Sequence, residues 1–444
     1  MMRKWMVTGA GLLWIALGIG TGTGKLWAAP QAANTQAKPT YTLAEYNAYK
    51  AADAQQNPQQ KIKLLDQFVK TYPISTLMPY VYRDYYLTDY ALKNFSGTIE
   101  YADKMVGLGD KVDTQGQLEA YVARAQAYYV GSGTDKSLQT PDAQTKARDA
   151  AVQGLKTMDE WKKPAAMTQD NYDKQVKGFK VLFNSIAAMT STSLKDYAQA
   201  ANYYKTVLSL DPTDAISHFR LGVVYLQMTP PQADDGFWEL ARSIGLKSPN
   251  GPNAQQVKTY LKNQIIRYQQ PACDNLVDNQ VNQLITLAST TDIRPATMTI
   301  PSAADLQKAR DDTANFLPAL EGGGDAGNVM WLASCGLEYP DVGVRVMADP
   351  VVDGDNITFM VFRGSTPEAI EAATAPNMQV TVVGQPEAAR VAKDAVVRFT
   401  GTLVGYTQNP FMLTWNKAKI NPEDIPAEKG SARKKAPARK APAK

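Results

Sequence analysis

From Tyr41 to about Ser289, apolar residues recur three and four positions apart, and short breaks at Pro, Gly, Asp or Asn separate the runs. That period is the mark of amphipathic α-helices, because side chains at i, i+3, i+4 and i+7 share one face. A helix of this length can bury only one stripe, so a long succession of them must stack on one another. The pattern places helices near 77–91, 95–107, 114–130, 142–157, 171–190, 233–246, 253–268 and 273–289. Further helices fall at Ile62 to Pro73 and, as a pair, in the window Lys195 to Met228.

That window, KDYAQAANYYKTVLSLDPTDAISHFRLGVVYLQM, carries a repeat signature. Ala200, Tyr204, Val207, Leu208, Leu210 and Pro212 set out one helix and its stop, and Leu221, Gly222 and Tyr225 open the next. Small residues let neighbouring helices approach, large ones fill the gap, and the proline stops the helix so that the chain can reverse. The window resembles the tetratricopeptide-repeat (TPR) family. His218 stands where the family often has Trp, and Val207 where it usually has Ala. IKLLDQFVKTYP, with Leu64, Leu65, Phe68 and Pro73, resembles the second helix of repeats in outer-membrane assembly lipoproteins and related cell-envelope proteins. The resemblance implies a mainly α fold, a right-handed TPR-type α-solenoid of about six helix pairs over 41–290. An irregular helical bundle with one true repeat pair is the alternative.

Residues 291–340 break the period. Pro295, Pro301 and the run from Glu321 to Gly327 predict a linker around a short helix, Ala303 to Leu317. The glycine run lacks the Lys-Ser/Thr pair and the leading strand of a phosphate-binding loop. From Asp341 the period changes to two. GVRVMADPVV, NITFMVFR, MQVTVVG, AVVRFTGTLVGY and FMLTWNKAKI predict five strands, with a helical insert at Pro367 to Ala373. The closing stretch from Val397 to Ile420 resembles the last strands of OB-fold-like domains of bacterial envelope proteins. A small five-stranded β-barrel over 341–426 is therefore expected, with a small β-sandwich as the alternative.

Charge divides the chain further. Arg3 and Lys4 precede an apolar run from Val7 to Ile19, and small residues around Ala28 offer a cleavage point, the pattern of a secretory signal peptide over 1–28. An uncleaved membrane anchor is the alternative. Residues 29–40 form a polar spacer. The end, 427–444, is a basic Lys/Ala/Pro tail expected to remain disordered. The tail and the first segment hold ten basic residues and, from Lys429 on, no acid, so the formal +4 of the whole chain becomes −6 for the body between them. An exported, periplasmic or envelope-associated protein follows. In that compartment Cys273 and Cys335 can form a disulfide; two separate thiols are the other reading.

Catalytic chemistry has little to work with. The chain has one His, His218, within the repeat register, and two Cys, so a Ser–His–Asp triad or a zinc site is poorly supplied. Asp353-Gly354-Asp355-Asn356 reads as a hairpin turn rather than part of a calcium loop. No cofactor, metal or small-molecule substrate is expected, and the chain reads as non-enzymatic. Tyr is abundant, at 22 copies, and suits protein-binding surfaces. In a solenoid the first helices line the groove, which makes Tyr80, Tyr82, Arg83, Tyr86, Arg124 and Tyr128 candidates for contact with a protein or peptide partner. The resulting expectation is a protein–protein interaction scaffold. A polyanion-binding module built on the barrel and tail, meeting envelope polymer, anionic lipid or nucleic acid, is the rival.

Overall fold

A computed structural model describes residues 40–428. The expected signal segment, all but the last residue of the expected spacer, and the expected tail from Lys429 lie outside the described residues. Two compact units share the chain. Among the described residues, one comprises 40–261 and Val281–Met298, the other Lys262–Gln280 and 299–428.

The first unit is helical. Its elements are α1 (Leu43–Ala54), α2 (Pro58–Thr71), α3 (Met78–Ala91), α4 (Phe95–Val106), α5 (Thr114–Gly131), α6 (Pro141–Glu160), α7 (Gln169–Ser193), α8 (Tyr197–Leu210), α9 (Ala215–Gln227) and α10 (Ala233–Gly245). The start of α11 (Ala254–Gln269) and the end of α12 (Asn275–Thr290) complete it. Local chemistry sets where these helices begin. Thr42, Asn57, Asn94, Asp113, Thr140, Thr168, Asp196 and Asp214 each precede a helix and accept a first-turn backbone N–H through a side-chain oxygen. Each such cap contributes about 1 kcal/mol. The turns inside the pairs are abrupt. Lys93 and Lys195 adopt φ of 60° and 64°, the left-handed region that commonly ends a helix. Behind them the N–H groups of Asn94 and Asp196 return to the carbonyls of Asp89 and Ser191, both at 2.8 Å, and the next helix starts at once.

From α1 to α10 each helix packs on its successor, and α5 also packs on both α3 and α7. The buried stripes merge into successive cores. Tyr49, Leu65, Phe68, Val81 and Tyr85 fill the first, and Leu118, Val122, Ala151, Phe179 and Phe183 a later one. Ala200, Tyr204, Leu221, Val224 and Tyr225 fill another. Between α9 and α10 the backbones themselves touch. A Cβ on Gly222 would lie 2.8 Å from the Gly236 carbonyl oxygen and 2.9 Å from the Leu240 nitrogen, so only glycine fits.

The second unit combines α13 (Ala303–Asp311), α14 (Phe316–Gly322), α15 (Gly324–Ser334) and a further helix α16 (Pro367–Ala372) with a six-stranded sheet. The strands are β1 (Glu338–Val346), β2 (Val351–Asp353), β3 (Asn356–Phe362), β4 (Met378–Val383), β5 (Val396–Gln408) and β6 (Phe411–Ile420). Their order is β1-β5-β6-β4-β3-β2, β4 and β6 run parallel, and β1 also pairs β3 through Arg345 and Val346. The pairings among β1, β5, β6, β4 and β3 therefore return to their start. Trp415, 1% exposed, sits at the centre with Phe399 and Tyr339 edge-on at 5.4 and 5.6 Å.

Two expectations are corrected here. The expected five strands are six, because Ala348-Asp349-Pro350 breaks GVRVMADPVV into β1 and β2; a proline cannot donate to a ladder. The stretch 291–340, expected as a linker with one short helix, is packed structure. Leu317, Leu320 and Met330 share the core of the strands, and Gly323, at φ 65°, turns α14 into α15. Gly327 is a close approach, since a Cβ there would meet the Ala319 carbonyl oxygen at 2.9 Å. Cys273 and Cys335 are joined in a disulfide within this unit.

Candidate protein-binding site

In the first unit, α1, α3, α5 and α7 open successive helix pairs, and their side chains meet in a row. The ring of Tyr49 on α1 lies 6.1 Å from that of Tyr80 on α3. Arg83 on α3 donates through Nε to Glu119 Oε2 on α5 at 3.3 Å, and Gln115 Nε2 donates to the other oxygen of Glu119 at 3.2 Å. Leu118 of α5 shares its core with Phe179 and Phe183 of α7. The first helices thus form one continuous face.

A hollow opens on that face between α5 and α7, lined by Gln115, Leu118, Glu119, Trp161, Met167, Gln175 and Phe179. Trp161 ends α6, and its ring lies 4.9 Å from Tyr172 and 6.1 Å from Phe179. Its carbonyl accepts the Tyr172 hydroxyl at 2.8 Å, which fixes the loop over the helix. The indole N–H is buried without a hydrogen-bond partner among the described residues. A buried donor left in that state costs about 1–3 kcal/mol. The walls are apolar and the rim offers two amides and one carboxylate. Beside Arg83, Asp84 turns away toward Lys61 on α2, at 3.3 Å; burial pushes its carboxyl above the usual carboxylate range, with Lys61 opposing.

The six groove candidates separate by environment. Tyr80 and Arg83 are half-buried and belong to the first-helix face. Tyr82 is half-buried against Tyr101 of α4, at 6.2 Å, between the helices of one pair. Tyr86, Arg124 and Tyr128 are interior, 2%, 6% and 5% exposed, so the expectation that they line an open groove is corrected. Tyr86 packs among Ala102, Met105 and Ala123, and Tyr128 among Leu118, Phe183 and their neighbours, where burial pushes its hydroxyl up to about 12. Arg124 reaches α4, donating to Asp103 at 2.5 Å. On α3 and α5 tyrosines, alanines and charged residues are mixed around several sides of the helix, which is why sequence position could not separate groove from interior. The hollow's own residues went unnoticed. The available signal was Trp161 itself, a large aromatic standing at the edge of the polar run Lys162-Lys163-Pro164.

Ala200, Tyr204, Leu221, Gly222 and Tyr225 lie in the α8–α9 interior, and exposed Pro212 stands in the turn between those helices. His218 is 7% exposed, with Nδ1 at 2.5 Å from Glu239 and Nε2 at 3.1 Å from the Pro212 carbonyl. It ties α9 to α10 and to the repeat turn. Among the described residues no group of three or more His, Cys, Asp or Glu is placed to hold a metal ion, and no helix is long and apolar enough to cross a membrane.

Residues 192–228, the α8–α9 pair with the end of α7, match the family described as TPR repeat. Over these residues the chain is similar to a TPR repeat. A thermophilic TPR protein of Thermus thermophilus is among similar solved structures, at 13% identity and TM-score 0.24, over 50% of this chain and 99% of that one. The C-terminal part of a TPR repeat-containing protein from Cytophaga hutchinsonii is another, at 12% identity and TM-score 0.28, over 56% and 96%. No curated protein matches the chain.

Proposed function

We propose that this chain is a non-enzymatic scaffold or adaptor of the bacterial cell envelope that holds a segment of a partner protein on the first-helix face. The observation that carries the reading is the hollow of Leu118, Trp161, Met167 and Phe179, rimmed by Gln115, Glu119 and Gln175 beside half-exposed Arg83. An apolar anchor with a polar rim is how protein interfaces concentrate affinity. The TPR repeat at 192–228 supports the same class of function, by analogy of fold. Export rests on Arg3, Lys4 and the apolar run after them. The second unit is read as an OB-like closed sheet, a reading supported by the ring of pairings and by the parallel β4–β6 pair. Two of its arginines are already engaged: Arg345 with Asp394 at 2.7 Å and Arg398 with Asp424 at 3.1 Å. They therefore lend no weight to a polyanion site there.

The test is capture from envelope extract by the full chain and by a variant whose hollow is plugged, Gln115→Arg with Gln175→Arg. Both positions are on the rim, so the fold should persist; circular dichroism verifies it. A discrete protein set held by the parent chain at moderate salt and released by the variant supports the site. The same set on both baits refutes it.

A further inference from the structure

In the second unit, β2 ends the sheet order, with β3 on one side and, among the described residues, no strand on the other. The cause is β5, which flanks β1 only as far as Val396, opposite Arg345. There the chain turns off: Asp394 N–H donates to the Val346 carbonyl at 2.8 Å, and Lys393 N–H to the Asp349 carboxylate at 3.1 Å. Past Pro350, β2 continues with β3 alone beside it among the described residues. Across the two-residue turn Gly354–Asp355, with Gly354 at φ 58°, Asp353 faces Asn356. That pair exchanges the hairpin's closing hydrogen bonds, so the N–H and C=O of Val352, one residue back, face the open edge.

The side chains match this open edge. Val351 and Val352 point to opposite faces of the strand and are 65% and 58% exposed, and Val396 at its base is 71% exposed. Exposed apolar residues on an unpaired edge are what natural sheets ordinarily avoid. The carboxylates of Asp349, Asp353 and Asp355 are exposed around it. Among the described residues, the ion pairs of this unit are those of Lys262, Arg345 and Arg398, and they leave all three out.

We propose that β2 is a docking edge for an extended segment of a partner polypeptide in which apolar residues alternate with Lys or Arg. Main-chain hydrogen bonds to Val352 would supply the pairing, apolar residues would cover the valines, and the cations would answer the three aspartates. A second copy of this chain fits worse, because antiparallel β2–β2 pairing sets aspartates of one copy against those of the other. This surface is separate from the first-helix face and stands or falls independently of it.

The test uses the full chain and a fluorescent Lys-Val alternating octapeptide, read by anisotropy. Two further probes are its Glu-Val counterpart and a version N-methylated at every peptide nitrogen, which keeps charge and side chains but has no N–H to donate to a ladder. The expected result is binding of the Lys-Val probe alone, weakened about tenfold by Val352→Pro, which removes the outward N–H. Equal binding of the N-methylated probe would reduce the effect to charge and overturn the proposal, as would no binding at about 1 mM. If Val352→Pro lowers the thermal transition, Asp353→Asn with Asp355→Asn carries the test, and unchanged affinity there refutes it. Sedimentation showing a dimer that Val352→Pro dissociates would assign the edge to a second copy instead.

Discussion

Removing the Cys273–Cys335 bridge should destabilise the second unit selectively. The bridge closes a loop with a sequence separation of 62. In the chain-entropy account, a loop of that length is worth about 4 kcal/mol at 25 °C. Val281–Met298, within the loop, belongs to the first unit. If that unit stays folded, less of the loop is free chain, but the logarithmic dependence changes the figure by only about 0.3 kcal/mol. The described part of the second unit has roughly 150 residues, for which each kcal/mol moves the transition about 2–4 °C, so a fall of about 8–16 °C is expected. The variant should be Cys273→Ala with Cys335→Ala, since Cys335 is 4% exposed and a serine would bury a hydroxyl there. Differential scanning calorimetry, with and without reductant on the parent chain, reads both transitions. A shift below about 2 °C would show that the loop is not what the bond restrains. A shift confined to the helical unit's transition would refute the assignment of both cysteines to one unit.

Two further outcomes follow from packing and charge. Gly222→Ala should cost about 1–3 kcal/mol in chemical denaturation, because the new Cβ meets backbone of α10; Gly133→Ala, with nothing closer than 4.0 Å, should stay within about 0.5 kcal/mol. Equal effects would mean that α9 and α10 separate at little cost. Arg398 beside Asp424 holds that carboxyl below its ordinary value, through side-chain and backbone hydrogen bonds. Its stabilising contribution is therefore present above the unfolded-state value of about 4 and is lost as pH falls through the lower folded value. Asp424→Asn should flatten the acid side of the second unit's stability profile, and an unchanged slope between about pH 5 and pH 2 would refute it.

The helices were legible because their signals are local. Thr42, Asn94, Asp113 and Asp196 are caps whose oxygens serve N–H groups two or three residues away, and the expected 95–107 and 114–130 fall on Phe95–Val106 and Thr114–Gly131. Strand β6, expected as FMLTWNKAKI, spans those same residues, Phe411–Ile420. Partnerships were not legible. Tyr80 and Tyr86 lie on one helix, yet one belongs to the open face and the other is sealed against Met105 and Ala123, because neighbours distant in sequence decide which side is covered.

Sequence alone determined the periods, the caps, the prolines that stop helices and the repeat signature at 195–228, since each depends on atoms within one or two turns of the chain. Tertiary structure alone decided the rest. It drew Glu119 to Arg83 and placed Trp161 over α7. It also bonded Cys273 to Cys335 and left β2 beyond the reach of β5. Those contacts join residues tens of positions apart, and their free energy exists only once the intervening chain has packed.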